Sequence, residues 1–280
     1  MNVEVSGSGH NMQPLLKVEN LVKRYAKPSL ADAREGQLAL NGVSFSIFPG
    51  TTLAVVGESG SGKSTLAACL ACLESPTTGS IWYEGKDLVN LGERARRQVR
   101  PQLQLIFQDP ASSLNPRWSV LEILIEPMIL QRNFNRGEMN QRANSLLERV
   151  GLSPDMVERP PAELSGGQRQ RLAIARALAL EPKLLILDEA LSALDCSVQA
   201  QIANLLMELQ TSPGMTYLFI THDLAMAAYL ADDIVVMEGG RIVEQGPPEK
   251  IVKHPQHEAT RQLLAAVPRI ARPPLPTVEQ

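Results

Sequence analysis

The chain has 280 residues, of which 44% are hydrophobic, 20% charged and 4% aromatic, and its formal net charge is −3. That length allows one large or two small domains with a sizeable core. The chain has neither the basic field nor the aromatic platforms that nucleic-acid binding draws on. Its three cysteines, an odd number, suggest no disulfide framework and fit a reducing cytosol. No apolar run approaches the roughly 18 residues that span a bilayer, so any membrane role is expected to be peripheral.

Residues 1–14 are polar, lack the apolar centre of a signal peptide and read as a disordered lead-in. Leu15 to Glu19 alternates as a strand, with Tyr25 in the turn that follows, and residues 27–37 read as a loop. A second strand region, Leu38 to Phe48, stops at Pro49-Gly50. An apolar run at 51–56 then leads into Gly57, Glu58, Ser59, Gly60, Ser61, Gly62, Lys63, Ser64 and Thr65, ahead of a stretch rich in helix formers. This is G-x-x-x-x-G-K-[ST] in strand–loop–helix context. Glycines let the backbone wrap so that amide groups point at phosphate oxygens, and the helix start adds its positive dipole end. Lys63 is placed to reach the β- and γ-phosphates, and the Ser64 hydroxyl to hold Mg²⁺. Cys69 and Cys72 have a spacing that admits redox or metal chemistry, but their place in the following helix favours small buried hydrophobes.

Ser80 to Gly85 reads as a strand and turn. Arg94, Arg96, Arg97 and Arg100 read as a solvated helix face, with a phosphate or partner surface as the alternative. Leu103 to Phe107 is a strand ending at Gln108. Helical patterning in 120–130 and 138–150 points to a helical subdomain over 109–163, inserted into an α/β core. Ser165 is a natural N-cap, and Gly166, Gly167 and Gln168 open a helical stretch over 169–180, a second anion-binding design. Two further buried-strand runs end in Asp188-Glu189 and in His222-Asp223, and 234–244 reads as a hairpin about Gly239-Gly240. The tail from Gly246 is Pro-rich with one helix near 259–266. In parallel sheets the strand C-termini gather beside the ligand crevice, so Gln108, Asp188, Glu189 and His222 are expected to converge on the phosphate loop. There Asp188 suits an Mg²⁺-holding carboxylate, Glu189 a base for the attacking water, and His222 a γ-phosphate contact.

A lone phosphate loop leaves the Ser165–Gln168 helix start and Ser192-Ala193-Leu194-Asp195 unexplained. With them in place, the chain resembles the nucleotide-binding subunit of an ATP-binding cassette (ABC) transporter over roughly residues 15–268. Residues 57–65 resemble Walker A, Gln108 the Q-loop, 164–168 the signature, 184–189 Walker B, 192–195 the D-loop and His222 the switch histidine. Phe107-Gln108-Asp109-Pro110, Ser113-Leu114-Asn115-Pro116-Arg117 and the ending His254-Pro255 to Pro268 resemble dipeptide, oligopeptide and nickel importer ATPases more narrowly. Some of these relatives carry a C-terminal cysteine cluster. Here no cysteine follows Cys196, so no iron–sulfur centre is expected.

The resemblance implies an α/β fold: a P-loop NTPase core with a mainly parallel sheet, an N-terminal antiparallel β subdomain and an inserted helical subdomain. It divides the chain into an ATP-binding core at 15–108 and 177–245, a helical subdomain with the signature at 109–176, and a C-terminal extension at 246–280. It implies ATP and Mg²⁺, with Tyr25 against adenine and residues 57–65 around the phosphates. Ser64, Gln108 and Asp188 would hold the metal, and Lys63, Gln108, Glu189 and His222 would serve catalysis. Ser165, Gly166, Gly167 and Gln168 would act in trans, from a second ATPase subunit, identical or paralogous. Two membrane permeases, docked at 109–117, and indirectly an extracytoplasmic binding protein complete the partners, at the cytoplasmic face of the membrane. Peptide is the first expected cargo; nickel or another metal chelate is the alternative. A soluble ABC ATPase of DNA repair or translation is disfavoured by the single cassette, the short insert without heptads and the charge balance. A non-catalytic regulatory cassette is disfavoured by the intact Lys63, Ser64, Gln108, Asp188, Glu189 and His222.

Overall fold

The computed structural model describes residues 13–26, 36–109, 113–131, 135–211 and 214–267. Residues 1–12 of the expected lead-in, 27–35 of the expected loop, 110–112 of the expected docking segment and the tail from Pro268 lie outside the described residues.

Two sheets organise the chain. Strands β1 (Leu16–Tyr25), β2 (Gln37–Ile47), β4 (Thr78–Tyr83) and β5 (Lys86–Asp87) form an antiparallel sheet in the order β2-β1-β4-β5. Strands β3 (Thr52–Val56), β6 (Leu103–Ile106), β7 (Leu184–Asp188), β8 (Thr216–Thr221), β9 (Asp233–Glu238) and β10 (Arg241–Gly246) form the second, ordered β10-β9-β3-β8-β7-β6. It is parallel from β9 to β6, and β10 closes one side as a hairpin partner of β9. Among the described residues β6 is an outer strand, bonded to β7 alone, whereas β3, β8 and β7 each have a neighbour on both sides.

The parallel strands are sealed on both faces, so they read as unbroken aliphatic runs rather than alternating ones. Successive residues still point to opposite sides. Leu53 and Val55 of β3 join one core with helix α1 (Lys63–Leu70) and the antiparallel sheet. Ala54 and Val56 join the other, with the helices α3 (Val120–Gln131), α4 (Arg136–Arg149), α5 (Gly166–Leu178) and α6 (Cys196–Thr211). The short α2 (Glu93–Val99) precedes β6, α7 (Leu224–Leu230) follows β8, and α8 (Pro248–Lys253) and α9 (Glu258–Ala266) end the described chain. Among the described residues, no helix is long and apolar enough to cross a membrane.

Several elements differ from the sequence reading. β1 does not stop at Glu19 but resumes after Asn20, whose φ of +48° and the register shift beside it absorb a bulge. Tyr25 therefore ends a strand instead of sitting in a turn. The signature helix starts at Gly166, so both glycines lie in its first turn. Helices α6, α7 and α8 were not anticipated. The arginine cluster is largely satisfied from within: Arg97 and Arg100 pair with Glu93, and Arg96 donates to the Val89 carbonyl. Burial pushes the Cys69 thiol up to about 11 and raises that of Cys72, so both stay protonated and act as small apolar groups. At the C-terminal end, the Glu244 carboxylate of β10 accepts from the amides of Gln256 and His257 and from the Thr260 hydroxyl, fixing α9 to the sheet.

Candidate ATP site

Four of the five parallel strands, β3, β6, β7 and β8, each lead a group to the same edge of the sheet. β3 runs into the glycine loop, whose Gly62 has φ +103° and lies so close to β2 that an added Cβ would stand 2.4 Å from the Ala39 carbonyl oxygen. Only glycine meets both demands. The first main-chain bond of α1 runs from Leu66 to the Gly62 carbonyl, leaving the amides of Lys63, Ser64 and Thr65 outside the helical ladder. Lys63 is almost fully buried and donates to the carbonyls of Gly57 and Glu58 at 2.8 and 2.9 Å, so the loop is folded around its own ammonium. Burial pushes that ammonium below its ordinary value, while the charges of Glu189 and Asp188 work against the shift.

β7 ends in Asp188, whose carboxylate accepts from the Ser64 hydroxyl at 3.3 Å. Burial raises the Asp188 carboxyl, with Ser64 and Lys63 opposing and Glu189 adding to the effect. Glu189, in left-handed conformation at φ +47°, turns its carboxylate between the Lys63 ammonium at 3.7 Å and His222 Nδ1 at 3.5 Å. His222 follows β8 and is exposed, its Asp223 neighbour capping α7. Gln108, two residues past β6, reaches the cluster through a third party. Its amide donates to the Ser192 hydroxyl at 3.4 Å, and that hydroxyl donates to the Glu189 carbonyl at 2.8 Å. Ser192 is the contact that reading the sequence missed as a site residue; its only signal was its place in the D-loop.

The structure thus brings together Lys63, Ser64, Asp188, Glu189 and His222, with Gln108 joined through Ser192. Two more of the expected groups stand outside this contact set. Tyr25 ends β1. Ser165 to Gln168 form a capping box at the start of α5: the Gln168 amide donates to the Ser165 hydroxyl, and the Ser165 amide to the Gln168 side chain. That helix start packs on Leu194 and Val198, not on residues 57–65, among the contacts of the described residues.

The residues fit a triphosphate. The Ser61 hydroxyl is buried in the loop with no hydrogen-bond partner among the described residues, an uncommon condition for a buried polar atom. The paired hydroxyl and carboxylate of Ser64 and Asp188 are hard oxygen donors of the type Mg²⁺ takes.

Comparison with known proteins gives the family. The family model for ABC transporters matches residues 40–192, more than half of the chain. The chain belongs to the ABC transporter family. This ABC transporter ATPase is 45% identical over 259 residues to the dipeptide transport ATP-binding protein DppF of Escherichia coli K12, covering 92% of this chain and 78% of that one. It is 47% identical to the oligopeptide transport ATP-binding protein OppD of Mycobacterium tuberculosis, covering 91% of this chain and 42% of the relative. Among solved structures, cbiO1 of Clostridium perfringens, part of the ABC transporter complex cbiONQ, aligns with a TM-score of 0.77 at 31% identity over 92% of this chain and 97% of that one. The dimeric post-hydrolysis cassette MJ0796, bound to ADP and Pi, aligns at 0.74 and 30% identity, over 83% and 98%. The α/β cassette fold expected from the sequence is the fold found.

Proposed function

We propose that this chain is the ATP-hydrolysing subunit that drives peptide uptake through separate membrane permeases, working as one of a pair of ATPase subunits at the cytoplasmic face of the membrane. The observation that carries the reading is the contact set Ser64–Asp188 and Lys63–Glu189–His222 at one sheet edge. Peptide as cargo rests on the likeness to the dipeptide and oligopeptide transport ATP-binding proteins DppF and OppD.

Residues 57–65 cradle the phosphates with main-chain amides, and Lys63 exchanges its loop carbonyls for phosphate oxygens. Ser64 and Asp188, with Gln108, would hold Mg²⁺, which would supply positive charge to offset that of the phosphates. Glu189 takes the proton of the attacking water, and His222, beside it, contacts the γ-phosphate. Tyr25 stacks on adenine. Ser165 and the amides of Gly166 and Gly167 meet the γ-phosphate of the other subunit, so each site is finished across the dimer. Residues 109–176 form the unit that moves, Gln108 lies at its hinge, and the segment 109–117, where Phe107 nearby is half exposed, receives the permeases.

The test has two arms. Glu189→Gln keeps the shape of the side chain and removes the base, so ATP binding persists while turnover falls by about 10²–10⁴-fold; near-wild-type turnover would refute the assignment. The intact chain should also co-purify with two membrane permeases and show ATPase activity stimulated by peptide. Stimulation by a nickel chelate instead would favour the second cargo, and co-purification with nucleic acid would defeat the transport reading.

A further inference from the structure

The end of β1 carries two side chains on one face, Lys23 and Tyr25, two residues apart. Register places Lys23 opposite Leu40 and Tyr25 opposite Gln37 of β2. Ala39 and Leu40 are the residues that press on Gly62 of the phosphate loop. The pair and the phosphate loop therefore meet the same stretch of β2, residues 37–40.

The main chain here is clamped from both sides. Thr77 donates its amide to the Val22 carbonyl and accepts the Arg24 amide on its hydroxyl, while an added Cβ on Gly36 would stand 2.0 Å from the Tyr25 carbonyl oxygen. Tyr25 itself is 37% exposed. Lys23, by contrast, is nearly enclosed. Its ammonium donates to the Glu74 carboxylate at 2.7 Å and to the Ser75 carbonyl at 2.8 Å, and it sits 4.9 Å from the centroid of the Tyr25 ring. An ammonium has three protons. Two are committed to residues just beyond α1, and the third is left for the ring face.

We propose that Lys23 is a positioning residue for nucleobase recognition: anchored by Glu74 and Ser75, it holds the Tyr25 ring by one face and presents the other to the purine. This rests on the reading of Tyr25 as the adenine platform. A cation over one face of an aromatic ring is attracted by its quadrupole and fixes its orientation. It also draws electron density from the ring, which suits stacking against an electron-rich purine on the open side. The ring is then preorganised, and stacking costs less ordering.

The test compares the affinity of the full chain for ATP with that for inorganic triphosphate, which has no base, each with Mg²⁺, by calorimetry. Lys23→Met keeps the apolar stem and removes the charge. It should weaken ATP about three- to tenfold, leave triphosphate unchanged, and be rescued by Lys23→Arg. In a Tyr25→Ala background, Lys23→Met should have no further effect. An equal loss for ATP and triphosphate, no loss for ATP, or additive losses in the double variant would each overturn the role of Lys23. Tyr25→Ala that leaves the ratio of the two affinities unaltered would instead remove the adenine platform itself. Glu74→Gln loosens the same ammonium from a more exposed position. It carries the same ATP-selective expectation if Lys23→Met does not fold.

Discussion

Asp188 carries a penalty that its proposed role as an Mg²⁺ ligand explains. Burial holds its carboxyl above the ordinary value, so the folded protein is disfavoured wherever the group is ionised. The cost is full at neutral pH and disappears as pH falls through the folded value toward 3.8. Asp188→Asn should therefore raise the melting temperature of the nucleotide-free protein at pH 7, by an amount that shrinks on acidification, while abolishing Mg²⁺-dependent turnover. Scanning calorimetry across pH and an ATPase assay check the two halves. At this scale the site was largely legible. Lys63, Ser64, Asp188, Glu189 and His222 announce themselves by residue type at the ends of apolar runs, and each is where parallel strands deliver it. The link from Gln108 through Ser192 to the Glu189 carbonyl was not legible, because it joins positions 84 apart through a contact that no local pattern encodes.

At the scale of elements, the start of α5 lies against the start of α6. A Cβ on Gly167 would stand 2.7 Å from Cγ1 of Val198. Alanine gains about 1 kcal/mol of helix propensity over glycine, whereas overpacking costs about 1–3 kcal/mol, so the clash wins. Gly167→Ala should lower stability and weaken ATP-driven pairing, and Val198→Ala in the same chain should restore both, read by thermal denaturation and light scattering. The Glu244 clamp gives a second case. Burial pushes that carboxyl up, but the three donors from Thr260, Gln256 and His257 outweigh it and hold it below its ordinary value. Its stabilisation is present above about pH 4.5 and lost as pH falls through the folded value. A glutamine offers one acceptor oxygen in place of two, so Glu244→Gln should cost about 1–3 kcal/mol, seen as faster amide exchange in α9. Strands β3, β7 and β8 were readable because both their faces are apolar. The second half of β1 was hidden by the bulge at Asn20. Helix α6 was readable in principle, since Ile202, Leu205, Leu206 and Leu209 are spaced for one face; α7 has only seven residues, too few for a period to stand out.

For the whole molecule, the start of the signature helix packs on Leu194 and Val198 among the described residues, and the proposed pairing with a second copy or a paralogue would bring it to an ATP site. Ser165→Arg should spare nucleotide binding by the single chain and block ATP-driven pairing in a Glu189→Gln background, measured by light scattering. Ser165→Asn, which keeps a capping side chain, separates bulk at the interface from loss of the cap, worth about 1 kcal/mol. The order of the central sheet has a consequence of its own. Lys63, Asp188 and His222 follow or end strands flanked on both sides, whereas Gln108 hangs from β6, which has a single neighbour. In the proposed mechanism, the sheet is braced on both sides behind the groups that act on the phosphates and on one side behind the hinge.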